Sequence, residues 1–144
     1  SLLEKKLLKE LEELELRICL VRGTSKKSER SIISKKIHQF DLLLTDQLQS
    51  VIAASELVIA RSGYSTIMDL AAMNKKAFFI PTPGQPEQEY LATHLDSMKI
   101  APYCKQRDFN RLVLQKTEDY SGFCDGISPL SLELFELFKG KRKS

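Results

Sequence analysis

The stretch Ser55–Glu89, SELVIARSGYSTIMDLAAMNKKAFFIPTPGQPEQE, decides how the rest of the chain is read. It opens with the apolar run Leu57-Val58-Ile59-Ala60 between charged neighbours, the pattern of a fully buried strand. The run stops at Ser62-Gly63, where glycine can take positive φ at no steric cost. Ser65 or Thr66 can then cap a helix whose apolar positions Ile67, Leu70, Ala71 and Met73 keep helical spacing. A helix that begins just beyond a strand's carboxyl end aims free N–H groups and a partial positive charge into the crevice there, which suits a phosphate.

Asp69, one turn into that helix, is placed to reach a pair of vicinal hydroxyls such as those of a ribose. A second strand, Ala77-Phe78-Phe79-Ile80, ends in the stiff loop Pro81-Thr82-Pro83-Gly84, and Gln85, Glu87, Gln88 and Glu89 open the next helix. Phosphate donors, a hydroxyl acceptor and amide or carboxylate groups in one cleft suggest a nucleotide-sugar pocket. The bland reading stands beside it: Gly63 permits a turn, Ser65 and Thr66 cap a helix, and the acids favour a helix start.

Working outward, Leu3, Leu7, Leu11 and Leu14 form an amphipathic stripe too short for a coiled coil. Leu16–Arg22 reads as a strand ending at Gly23, Thr24–Ser34 as a polar loop, and Ile37–Leu44 as a further strand. Thr45-Asp46 can cap a helix over Gln47–Ala54 with Leu48, Val51 and Ile52 inward. Downstream, the pattern predicts a helix over Glu87–Lys99, a short strand over Ile100–Lys105, a helix over Phe109–Tyr120, a loop, and a short apolar helix over Leu130–Phe138. Strands alternating with helices at this spacing make βαβ units, hence an α/β fold with a Rossmann-like, three-layer parallel sheet covered by helices on both faces.

At 144 residues, with 42% apolar and 28% charged residues, the chain is the size of one domain with a core of its own. The expected partition is a folded body over residues 1–138 and a basic tail over 139–144. The net charge of +3 rests on Lys139, Lys141, Arg142 and Lys143, so the body is close to neutral. That argues against a nucleic-acid-binding face. The tail is either a solubilising end or a contact for acidic lipid. No apolar run is long enough to span a membrane and no secretory signal opens the chain, which fits a cytoplasmic setting. Cys19, Cys104 and Cys124 have no CxxC spacing and read as reduced thiols, while His38 and His94 suggest no metal site.

The segment SELVIARSGYSTIMDLAAMNKKAFFIPTPGQPEQEYLA resembles the donor-binding core of family-28 glycosyltransferases, which include the MurG-type UDP-N-acetylglucosamine transferases, most clearly over Thr45–Ala92. The resemblance implies the C-terminal half of a GT-B fold, one that lacks an N-terminal acceptor-binding domain and its own first, glycine-rich strand–loop. It implies a UDP-sugar donor, a hexosyl or N-acetylhexosaminyl transfer with inversion, no cofactor and no metal. It also implies a general base on the other domain and work at the inner face of a membrane.

In the same terms, the backbone of Ser62, Gly63, Tyr64, Ser65 and Thr66 would hold the diphosphate. Asp69 stands where the family usually has Glu for the ribose. Main-chain atoms at Leu44-Thr45 would take the uracil. Gln88 and Glu89 align with a Gln–Gln pair that reads sugar hydroxyls, the second position and Ala92 departing from the family pattern. Two other readings use the same pocket: a nucleotide-sugar hydrolase or epimerase, and a scaffold with a vestigial site.

Overall fold

The computed structural model describes residues 2–11, 18–21, 30–32, 37–40 and 45–123. The elements, in chain order, are α1 (Leu2–Leu11), β1 (Ile18–Val21), β2 (Arg30–Ile32), β3 (Ile37–Phe40), α2 (Thr45–Ala54), β4 (Leu57–Ala60), α3 (Tyr64–Ala72), β5 (Lys76–Phe79) and α4 (Pro86–Ser97), followed by two 3-10 helices at Gln106–Asp108 and Arg111–Asp119. The chain divides into two compact units, Ser1–Ser55 with Asn110–Leu112, and Glu56–Phe109 with Val113–Ser144. The expected helix over Leu130–Phe138 and the basic tail lie outside the described residues.

In the first unit, β1 and β3 run parallel, with Ile18 opposite Ile37 and Val21 opposite Phe40. The segment Thr24–Ser34, expected as loop, contains β2, which pairs antiparallel with β3 in the order β1-β3-β2. Three residues are too few for alternation to show in the sequence. The connection of four residues to β3 is of hairpin length, and a hairpin requires antiparallel pairing. The parallel sheet thus carries one antiparallel strand. On α1, Leu7 is buried, and Glu10 Oε2 accepts the Arg111 N–H at 3.3 Å. The expected inward residues of α2, Leu48, Val51 and Ile52, are half-buried.

The second unit is built on the parallel pair β4–β5, with Leu57 opposite Lys76 and Ala60 opposite Phe79. Ala77, Phe78 and Phe79 of β5 are all buried, so this strand is covered on both faces, while β4 is half-buried throughout. The sequence reading assigned full burial to β4; the buried run falls instead on Ala77–Phe79 of β5, whose first residue, Lys76, is exposed. Ile67, Leu70 and Ala71 of α3 and Leu91, Ala92 and Leu95 of α4 complete the core with Phe109 and Phe123. Phe78 meets Phe109 edge to face, the rings 6.0 Å apart at 68°.

The expected strand Ile100–Lys105 is a single parallel bridge, Phe79 to Tyr103. Phe79 N–H donates to Pro102 O and Cys104 N–H donates to Phe79 O. Pro102 has no N–H to extend the ladder. The expected helix Phe109–Tyr120 is a nine-residue 3-10 helix instead. Its ends are tied by short-range bonds, Leu112 N–H to Asn110 Oδ1 at 2.9 Å and Tyr120 N–H to Thr117 O at 3.1 Å.

Both long helices of this unit end in a residue held in the left-handed region, Asn74 (φ 55°) after α3 and Lys99 (φ 57°) after α4. Lys75 N–H bonds Leu70 O and Ile100 N–H bonds Leu95 O, satisfying the last carbonyls and turning the chain sharply. The chain then returns to the amino end of β5. Ser121, Gly122 and Phe123 donate their N–H groups to Lys99 O, Ile100 O and Lys75 O. Gly122 has φ +71°, and a Cβ there would lie 2.8 Å from Lys76 Cγ and 3.3 Å from Lys76 Cα. Gly122→Ala should therefore cost about 1–3 kcal/mol, from left-handed strain plus backbone crowding. Urea denaturation checks this.

Beside this clasp the Tyr120 hydroxyl donates to Asp96 Oδ1, and Lys99 Nζ lies 4.8 Å from the centroid of the Tyr120 ring. That bond, with burial and the charge of Asp96 behind it, pushes the phenol pKa from 10.0 up to about 12. Folding thus favours the neutral phenol, and its contribution is complete below pH 10 and is lost as the pH rises through 12. Tyr120→Phe should cost about 1 kcal/mol at neutral pH. In paired urea titrations the gap between the variant and the wild type should close as the pH is raised from 10 toward 12.

Candidate functional site

Parallel pairing puts the carboxyl ends of β4 and β5 on one edge. The register carries on one step past the strands, with Ile80 N–H bonded to Ala60 O at 2.9 Å. From this edge α3 starts after the three residues 61–63 that follow β4, and α4 starts after the Ile80–Gln85 loop. Each helix therefore points its amino end at the same rim, and each amino end carries free N–H groups and a partial positive charge.

The start of α3 differs from the sequence expectation. The residue preceding the helix is Gly63, with φ −74° and ψ 150°, and no side chain caps the helix. Ser65 and Thr66, expected as caps, lie inside the first turn because the helix begins at Tyr64. Gly63 is in ordinary extended backbone and does not supply positive φ. What distinguishes it is space: a Cβ built there meets nothing within 4 Å. Ile67 N–H is the first to close a helical bond, to Gly63 O at 3.0 Å, and the N–H groups of Ser65 and Thr66 have no acceptor among the described residues.

Ser62 is buried, and its hydroxyl donates to Gln88 O at 2.7 Å, binding the β4–α3 turn to the first turn of α4. Gln88 in turn accepts the Thr82 N–H through Oε1 at 2.9 Å. The loop between them is a tight turn: Gln85 N–H bonds Thr82 O at 3.1 Å, with Pro83 and then Gly84 (φ +79°) at its centre. Proline presets the first central residue, and glycine takes the positive φ required at the second. α4 begins with Pro86, whose missing N–H costs nothing there, and with Glu87 and Glu89 against the dipole.

Of the residues singled out in the sequence, Ser62, Gly63, Tyr64, Ser65, Thr66 and Gln88 are brought to one rim by these bonds. Asp69 is exposed on α3, four residues after Ser65 and so on the same helix face about 6 Å further along the axis. Glu89 is exposed on α4, with its carbonyl accepting the Thr93 hydroxyl. Thr45 opens α2 in the other unit, and Leu44 lies outside the described residues. A groove of about 490 Å3 between Asp96, Tyr103, Arg107 and Tyr120 contains none of these residues.

The sequence reading passed over one residue at the rim. Arg61 follows β4 directly and is half-buried. Its Nη1 donates to Ile80 O and Pro81 O, each at 3.1 Å, and its Nη2 donates to Gln106 Oε1 at 2.8 Å. Burial lowers its pKa from the ordinary arginine value. Its signal in the sequence was a cation set between an apolar strand and a Ser-Gly turn. Among the described residues no group of three or more His, Cys, Asp or Glu is placed to hold a metal, and no helix is long and apolar enough to cross a membrane.

The family profile described as Glycosyltransferase family 28 C-terminal domain matches residues 1–120. The chain belongs to this family. Among curated relatives, the UDP-N-acetylglucosamine–N-acetylmuramyl-(pentapeptide) pyrophosphoryl-undecaprenol N-acetylglucosamine transferase of Methylobacterium radiotolerans is 42% identical over 64 residues, 43% of this chain and 17% of that protein. The enzyme of the same name from Mannheimia succiniciproducens is 30% identical over 107 residues, 72% of this chain and 30% of that protein. The chain thus matches less than a third of the length of either relative.

Among solved structures, Acinetobacter baumannii MurG superposes with a TM-score of 0.66 at 18% identity over 99% of this chain and 46% of that one. The glycosyltransferase SnogD of Streptomyces nogalater superposes with a TM-score of 0.62 at 12% identity, covering 79% and 30%. These likenesses show the fold: a Rossmann-like α/β domain of the kind found in GT-B glycosyltransferases.

The bond from Thr82 to Gln88 gives a direct test of the rim's construction. Gln88→Leu should cost about 1–2 kcal/mol, since it leaves a half-buried N–H without its acceptor. Hydrogen exchange of the Thr82 amide should accelerate in the variant, and Gln88→Glu, which keeps an acceptor there, should largely restore protection.

Proposed function

We propose that this chain is the donor-binding domain of a glycosyltransferase that moves a hexose or N-acetylhexosamine from a UDP-sugar to an acceptor. One observation carries the reading. In a family 28 domain, two helix amino ends share one rim of a parallel sheet, and the N–H groups of Ser65 and Thr66 and the open space at Gly63 face no competing partner there. An anion held by fixed N–H groups needs no reorganisation as charge builds on it.

In this reading the backbone of Ser62, Gly63, Tyr64, Ser65 and Thr66 holds the diphosphate. The UDP leaving group gains negative charge as the glycosidic bond breaks, and the donors at the rim stabilise that charge. Asp69 accepts from the ribose hydroxyls. Gln88, with its Oε1 committed to Thr82, offers its amide N–H groups to sugar hydroxyls. Glu89 accepts from the same sugar. The acceptor hydroxyl attacks the anomeric carbon from the opposite face and inverts it, its proton going to a base on a separate N-terminal acceptor domain. The relatives' names support a UDP-N-acetylglucosamine donor and a lipid-linked acceptor, which would set the intact protein at the cytoplasmic face of a membrane.

Isothermal titration of the intact protein with UDP tests the site, and turnover of a UDP-sugar with and without acceptor tests the activity. UDP release that needs no acceptor would favour the hydrolase reading. No binding of UDP would favour the vestigial scaffold. Gly63→Val should fold with little loss of stability, because its backbone conformation suits a β-branched residue, yet bind UDP at least about tenfold more weakly by filling the open space. Asp69→Ala should weaken uridine binding while leaving pyrophosphate binding intact. Equal losses would remove Asp69 from the ribose role.

A further inference from the structure

The single bridge from Phe79 to Tyr103 sits on the side of β5 turned away from β4. Ile80 N–H donates toward β4, to Ala60 O, whereas Phe79 N–H donates the other way, to Pro102 O at 3.0 Å. Main-chain groups alternate sides along an extended segment. Pro102 and Cys104 therefore face β5, while the N–H and C=O of Tyr103 and the N–H of Lys105 face outward. Lys105 O accepts the Asp108 N–H at 2.9 Å, and there the extended run ends.

Tyr103 and Lys105 line the groove of about 490 Å3 described above, together with Lys116 and Tyr120 from the 3-10 helix Arg111–Asp119 and the residue beyond it. Its aromatic side chains are held in place: Tyr103 OH accepts the Thr93 hydroxyl at 3.5 Å, and Tyr120 OH donates to Asp96. A wall fixed beforehand costs less to order when something binds. Lys105, Arg107 and Lys116 line the groove and are exposed, against the two carboxylates Asp96 and Asp108. Asp96 already accepts the Tyr120 hydroxyl, and Asp108 lies 4.0 Å from Arg107. The lining thus carries an excess of positive charge, which favours an acidic occupant over a basic one.

We propose that this groove is a docking site for an extended acidic segment of a partner protein. The segment adds as a further strand beside Tyr103, its main chain bonded to the Tyr103 N–H and C=O and its carboxylates set among Lys105, Arg107 and Lys116. In strand addition the main-chain bonds supply affinity and the alternate side chains supply the choice of partner. None of the rim residues lines the groove, so the docking site is separate from the donor site.

The test uses a short peptide alternating Glu and Val, with a Lys–Val peptide as control. Each is titrated into the intact protein by fluorescence anisotropy, with amide hydrogen exchange followed in parallel. The Glu–Val peptide should bind, slow the exchange of the Tyr103 amide, and lose affinity as salt is raised. The double variant Lys105→Glu, Lys116→Glu, changed at two exposed positions, should keep its melting temperature and bind that peptide at least about tenfold more weakly. No binding of the Glu–Val peptide, equal binding of the Lys–Val peptide, or wild-type affinity in the double variant overturns the proposal. Slow exchange of the Tyr103 amide in the protein alone overturns it as well. Independent of concentration, that result means an edge already covered; growing with concentration, it means a second copy of this chain as the occupant.

Discussion

The parallel pairing of β4 with β5 is the constraint on which the candidate site depends. Two adjacent strands running the same way need a crossover between them and both leave the sheet at the same edge, so a helix that follows either strand starts there. α3 and α4 are thereby obliged to present their amino ends together. An antiparallel pair would have sent those ends to opposite edges and left no place where two helix dipoles add. The hydrogen bonds from Ser62 to Gln88 and from Thr82 to Gln88 then lock the geometry that the pairing creates.

Much of this was legible in the residues. The runs Leu57–Ala60 and Ala77–Ile80, each followed by turn residues and then by helical spacing, showed the βαβ order. The burial of Ile67, Leu70 and Ala71 follows the spacing read for them. The errors have physical causes. Gly63 suggested positive φ, but extended backbone serves because the helix starts one residue later, so its missing side chain matters for space and not for strain. The run Leu57–Ala60 looked more buried than it is, since an apolar run reports composition and not how many neighbours a strand has.

Other features were out of reach of periodicity. Three residues of β2 cannot show alternation. Pro102 limits Ile100–Lys105 to one bridge, a matter of a single missing N–H rather than of apolar content. The tight 3-10 winding of Arg111–Asp119 depends on side-chain and turn bonds at its ends. The partners of Arg61 lie 19 to 45 residues away in sequence, so the chain gives no local hint that this cation is fastened to strand ends.

The clasp at Gly122 has a consequence for how the second unit can change. It fastens the segment after the 3-10 helix to Lys75, Lys99 and Ile100, beside the start of β5. The rim residues Ser62 to Thr66 and Gln88 gather past the finish of that same strand. The clasp and the rim are therefore built at opposite poles of β5, insulated from each other by a buried Ala-Phe-Phe segment. Substitutions near the clasp can harden or soften the fold without redrawing the rim, and the rim is free to vary while the far pole keeps the domain together.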